Sequence, residues 1–182
     1  MKKLAILFAL LLAACTLLSA CGSGDTEPVD KPTDEEIISL LKNEADLYRY
    51  LYCGAMVTGG TAGTPEYPEK KFYKCAEEDK DEWSEWESYV KSIYCGDELI
   101  GLALGSASIV NIDGYTYSDG AGGRGYDLTD DFAVFCDMFD REKSIAYYSV
   151  NNPYVSEEDG VKTTAYTFKL TDDGWRIESK NG

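Results

Sequence analysis

Ser108-Ile109-Val110-Asn111-Ile112-Asp113-Gly114-Tyr115-Thr116-Tyr117 is where the chain changes period. Asp113-Gly114 sits between two short β-branched and aromatic runs. That arrangement predicts a tight hairpin, because a two-residue type I′ loop needs positive φ at both positions. Downstream the pattern stays short and extended. Phe132 to Cys136, Ser144 to Val150, Val161 to Leu170 and Trp175 to Glu178 read as strands, with turns at Asn151-Asn152-Pro153 and Thr171-Asp172-Asp173-Gly174.

Upstream the spacing is helical. Thr33-Asp34-Glu35-Glu36 is a capping box, the side chains of its first and last residues answering each other's free backbone N–H. Behind it Ile37, Leu40, Leu41, Leu47, Tyr48, Leu51 and Ala55 recur three or four apart. This predicts a helix from Asp34 to about Val57, stopped by Gly59-Gly60. Thr61 to Glu69, with two prolines, reads as a loop, and Lys71 to Cys75 as a short strand. Asp81 to Tyr94 is a second helix, with Trp83, Trp86, Tyr89, Val90, Ile93 and Tyr94 on one face; Asp97 caps a third, Glu98 to about Leu104. Helices first and an antiparallel meander after them give an α+β fold, N-terminal helices packed on a curved antiparallel sheet.

The N-terminus has its own logic. Met1-Lys2-Lys3 is a basic start, and Leu4 to Ala14 is apolar without a break. Two Leu-small-small-Cys tetrapeptides follow, ending at Cys15 and Cys21. The layout is that of a secretory signal with its cleavage site. Thr16-Leu17-Leu18 after Cys15 still belong in a membrane, whereas Gly22-Ser23-Gly24-Asp25 after Cys21 belong in water. Cys21 is therefore the expected anchor. Leu18-Ser19-Ala20-Cys21 resembles the lipobox of bacterial lipoproteins, which implies cleavage before Cys21 and a lipid on its sulfur. The expected organisation is a signal peptide over residues 1–20, lipidated Cys21 with a flexible linker to residue 32, and one domain over 33–182. The mature protein would face outside the cytoplasm, held at the cell membrane by its lipid.

The chain has 33 acidic and 17 basic residues and no histidine. Removing residues 1–20 takes away two lysines and no acid, which leaves a net charge of −18. Nucleic-acid binders neutralise phosphate with Lys and Arg, so this balance excludes that class. A basic protein partner at the envelope fits better. The lack of histidine removes Ser-His-Asp and Cys-His catalysis and most catalytic zinc sites. No cofactor and no metal centre is expected, and no positioned acid–base pair argues for an enzyme.

Cys53, Cys75, Cys95 and Cys136 remain beyond the anchor, without any Cys-x-x-Cys spacing. An exported compartment permits disulfides, so two bridges are expected, in any of three pairings. Gly120-Ala121-Gly122-Gly123-Arg124-Gly125 contains Gly-x-Gly-x-x-Gly, but a strand follows it where a dinucleotide loop needs a helix; it reads as a hairpin-to-strand loop. The acid pairs Glu77-Glu78, Asp130-Asp131, Glu157-Glu158 and Asp172-Asp173 read as solvated turns. Most of the fourteen tyrosines and three tryptophans read as core with polar tips reaching water. Tyr50 and Tyr115 fall off the predicted buried faces and are the candidate surface or ligand-contacting aromatics.

The order of elements from about Asp34 to Glu178, the stretch Trp86 to Leu104 and the closing Gly174-Trp175-Arg176-Ile177 resemble the cystatin-like or NTF2-like layout of small exported proteins. Within it the chain is similar to the IseA family, exported inhibitors of cell-wall DL-endopeptidases. The resemblance implies a non-catalytic domain that presents a surface to a peptidase, here on a lipid anchor, and it transfers no functional residue. The alternative function is capture of a small ligand in an aromatic-lined pocket between the sheet and the first helix.

Overall fold

A computed structural model describes residues 29–53, 56, 58–64, 67–119, 132–152 and 162–181. The signal segment, the lipobox with Cys21, the glycine-rich run at 120–125 and the acid pairs at 130–131 and 157–158 lie outside the described residues. The chain divides into two units, Met1–Asp30 and Lys31–Gly182, and every element below belongs to the second.

Helix α1 (Asp34–Cys53) begins as its sequence predicts. Thr33 Oγ1 accepts from the backbone of Glu36 at 3.2 Å, and Glu36 Oε2 accepts from the Thr33 backbone at 2.7 Å. Asp34, Glu35 and Glu36 place negative charge on the first turn, where the helix dipole favours it. α1 is described to Cys53, with a bend at Met56 beyond it, and the expected loop from Thr61 is strand over its described residues. Strand β1 (Thr58–Thr64) pairs antiparallel with β2 (Tyr67–Cys75). Thr58-Gly59-Gly60-Thr61-Ala62-Gly63-Thr64 has no large side chain to show a period, and its extended form rests on backbone pairing with β2.

Helix α2 (Trp83–Ile93) starts from a capping box made by Glu82 and Glu85. Helix α3 (Asp97–Leu104) is capped by Gly96 rather than by Asp97, which falls inside the helix. Strands β3 (Ile109–Ile112) and β4 (Tyr115–Ser118) form the expected hairpin, with Asp113 and Gly114 at φ 53° and 85°. The first sheet has the order β1-β2-β4-β3. Its β4 also meets the entry to α2: Trp83 N donates to Gly114 O at 2.9 Å and Thr116 N to Asp81 O at 2.8 Å.

Strands β5 (Ala133–Asp140), β6 (Ile145–Asn152), β7 (Lys162–Thr171) and β8 (Gly174–Asn181) make a second sheet in chain order, all antiparallel. The fold is α+β, with helices packed on antiparallel sheet as expected; the meander, however, is divided between two four-stranded sheets. Helix α1 packs on α2, β5 and β8, and α2 reaches both β4 and β8.

Register sorts the second sheet into two faces. Ala146, Tyr148 and Val150 alternate along β6 and are buried; Phe168 lies opposite Ala146, and Ile177 opposite Phe168. These side chains form the core with Ile37, Leu40, Leu41, Leu47 and Leu51 of α1 and with Trp86, Val90 and Ile93 of α2. Each such aliphatic side chain contributes about 1.5–3 kcal/mol by leaving water. The α2–α3 connection runs along the free side of β8: Cys95 N donates to Ile177 O at 2.9 Å, and Tyr94 forms a parallel bridge with Ile177.

Candidate functional site

Helix α1 carries one acid on its buried face. Glu44 stands four residues after Leu40 and four before Tyr48, and only 4% of it is exposed. Its Oε1 accepts from Tyr94 Oη and from Lys180 Nζ, each at 2.8 Å, and its Oε2 accepts from Tyr166 Oη at 2.8 Å. Lys180 Nζ also donates to Tyr48 Oη at 2.6 Å and lies 4.3 Å from the centre of that ring. Burial, then the Glu44 charge and its hydrogen bond, push Tyr94 and Tyr166 above the ordinary tyrosine range. Burial alone would lower Lys180; Glu44 and Tyr48 outweigh it, so its ammonium titrates above the usual value. The carboxylate is fully engaged, and the cluster fastens α1 to the α2–α3 connection, β7 and β8. A fully paired buried charge of this kind holds a position more than it offers a reactive group.

A second cluster joins α1 to α2 and the segment before it. Lys80 is 7% exposed, with Nζ 2.8 Å from Asp79 Oδ2 and 3.2 Å from Glu77 Oε2. The ammonium also lies 5.1 Å from the ring centre of Tyr89 and 5.5 Å from that of Tyr50. Tyr50 Oη donates to Glu77 Oε2 at 3.2 Å, and its ring meets Trp86 and Tyr89 near edge-on, at 6.1 and 6.0 Å. Burial, then Glu77, raises the Tyr50 phenol above its ordinary value. Tyr50, expected at the surface, is half-buried, because α1 buries one face against the sheet and a neighbouring one against α2. Trp86 is fully buried, and its Nε1 has no hydrogen-bond partner among the described residues. Lys80 escapes sequence reading because a lysine within Glu77-Glu78-Asp79-Lys80-Asp81 looks solvated. Its acids at i−1 and i−3 are the signal that was there.

Tyr115 is exposed, at 40%, as its position predicts. Lys74 Nζ covers it, 3.6 Å from the ring centre, and lies 3.7 Å from Asp81. Asp172 and Asp173 form an exposed turn as expected, but Glu77 is drawn into the Lys80 pair.

The cysteines depart from expectation. Cys75, Cys95 and Cys136 are free thiols, so the two-bridge arrangement is absent here. Each is housed separately. Cys75 is buried at the end of β2 and its Sγ lies 4.0 Å from Glu77 O; the Cys95 thiol donates to Ile177 O at 3.7 Å; Cys136 lies on β5 opposite Tyr148. The side chain of Cys53 lies outside the described residues. Among the described residues no group of three or more Cys, Asp or Glu is arranged to hold a metal ion, and no helix is long and apolar enough to cross a membrane.

Among the exposed apolar side chains of the described residues, two stand together on β5. Phe135 and Met138 on β5 are 55% and 54% exposed. Three residues apart on a regular strand, they would point to opposite faces. A bulge between Cys136 and Met138 changes that: Phe135 lies opposite Ser149 and Met138 opposite Tyr147, and those two share the outer face of the sheet. Asp137, the extra residue, accepts from Ser149 Oγ at 2.8 Å. Sequence reading missed this pair because a bulge leaves no mark in an alternating pattern. No protein-family profile matches the chain, and no curated protein matches it significantly.

Proposed function

We propose that this chain is an exported lipoprotein whose body is a non-catalytic binding domain held outside the cytoplasm by a lipid on Cys21. The observation that carries the reading is Leu18-Ser19-Ala20-Cys21, preceded by an apolar run and followed at once by Gly22-Ser23-Gly24-Asp25. Two acyl chains on one cysteine hold a protein at a membrane far better than one, at about 0.8 kcal/mol per buried CH₂. The ionic groups inside the body are engaged in holding the fold, which fits a non-catalytic role: Glu44 pairs with Lys180 and neighbouring tyrosines, and Lys80 pairs with Glu77 and Asp79. The partner proposed is a basic protein of the envelope, drawn by the −18 charge of the mature chain. A wall-remodelling peptidase is the kind the IseA resemblance implies.

Metabolic labelling with a fatty-acid analogue tests the anchor: the wild type takes the label and Cys21→Ala does not. Label surviving in Cys21→Ala overturns it. The partner is sought by capture from detergent-solubilised envelope at low and high salt. A basic protein retained at low salt and released at high salt is the expected result, since screening weakens contacts between exposed charges. Binding indifferent to salt counts against an acidic contact surface.

A further inference from the structure

We infer that β5 is a self-pairing edge, and that a second copy of this chain adds its own β5 antiparallel to it to make one eight-stranded sheet. β5 pairs with β6 alone among the described strands, whereas the other end strand, β8, is flanked by Tyr94 and Cys95. Edge strands are usually blunted by lysine, proline, shortness or a bulge. β5 has the bulge but is eight residues long, with no lysine or proline in Ala133-Val134-Phe135-Cys136-Asp137-Met138-Phe139-Asp140. Its midpoint falls between Cys136 and Asp137, and Phe135 and Met138 stand symmetrically about it. A two-fold axis at that midpoint sets Phe135 opposite Met138 of the second copy, twice. Four exposed apolar side chains then meet on one face at cross-strand distance. The same register puts Ala133 opposite Asp140, so no acid faces an acid along the strand.

The attachment of the body agrees with this symmetry. Tyr148, opposite Cys136, points to the inner face and donates its hydroxyl to Pro32 O at 3.1 Å. Pro32, at the start of the body, therefore lies on the inner side of β6, beside β5. A two-fold axis normal to the sheet keeps both inner faces, and both Pro32 residues, on one side.

The test is sedimentation equilibrium of the full chain in density-matched detergent, at low and high salt, beside the Phe135→Lys/Met138→Lys variant. The expected result is a dimer that tightens as salt rises, because two strongly acidic bodies repel and screening relieves it. The variant is expected to be monomeric with unchanged circular dichroism and thermal midpoint, since both side chains are largely exposed. A monomer at every salt concentration overturns the inference, as does a dimer that survives in the variant. If the wild type is monomeric but the variant loses a captured protein, the edge serves that partner and the inference fails. Mass is read whether or not Cys21 carries lipid, so failure of the anchor and failure of the dimer are separate results.

Discussion

Glu44 on the first helix and Lys180 on the last strand are 136 positions apart in sequence and 2.8 Å apart in the fold. Glu44 is buried and Lys180 half-buried, and the two tyrosines that complete the carboxylate come from the α2–α3 connection and β7. Removing one partner of such a pair leaves a charge in a poor medium. Lys180→Met is expected to cost about 3 kcal/mol of stability, read as a shift of the urea midpoint. Glu44→Gln keeps an acceptor for the tyrosines, so Glu44→Gln/Lys180→Met should lose less than the two single changes added together. Additive losses would mean that the four side chains do not act as a unit.

The same cluster sets a direction for pH. Tyr94 and Tyr166 are raised in the folded state above the ordinary tyrosine value, first by burial and then by Glu44; Lys180 is raised by Glu44 against its burial. A group raised on folding contributes its full stability below its unfolded pKa, here about 10. That contribution declines as pH rises from there through the folded value, because the unfolded chain releases the proton and the folded chain keeps it. Stability should therefore fall above about pH 10, and less steeply in Tyr94→Phe/Tyr166→Phe. Denaturant midpoints across that range, with tyrosinate absorbance followed in parallel, check it. A flat profile would disprove it.

Side chains that announce a period were legible, and backbone pairing was not. Ile37, Leu40, Leu41 and Leu47 gave α1, and Asp113-Gly114 gave the hairpin, because spacing and turn chemistry are local. Strand β1 reads as a helix stop at Gly59-Gly60 and a loop from Thr61: its residues carry no pattern, and only pairing with β2 makes them extended. The Phe135–Met138 pair was hidden for the same reason, since the bulge that aligns it is a property of the register with β6. Tyr50 reads as a surface residue because one helical period shows one buried face, and α1 has two.

Gly96 is held where a side chain has no room. A Cβ there would run into the backbone oxygen of Glu178, at the contact of the α2–α3 connection with β8. Gly96→Ala must push the connection off the strand, and should cost about 3 kcal/mol or more. Gly101→Ala is the matched control. Nothing lies within 4 Å of its Cβ, and it sits inside α3, so alanine should add roughly 0.5–1 kcal/mol. Thermal unfolding of the two variants gives shifts of opposite sign. Equal shifts would mean that the connection does not pack on β8 as described.

The free thiols give the last prediction. Cys75, Cys95 and Cys136 carry no disulfide, so the unfolded, unreduced protein should expose at least three alkylatable thiols. In the folded protein their rates should separate. Burial raises both Cys75 and Cys95 above the ordinary thiol value, so both hold little thiolate near neutrality. Cys75 is buried as well as raised, whereas Cys95 is partly open to water. Cys75 should therefore be the slower of the two, and its labelling should track opening of the fold. Mass spectrometry of the alkylated peptides, with and without urea, reads each site. Two or fewer tags in urea would restore a disulfide among these cysteines; equal rates for Cys75 and Cys95 in the native protein would mean that β2 does not shield its last residue.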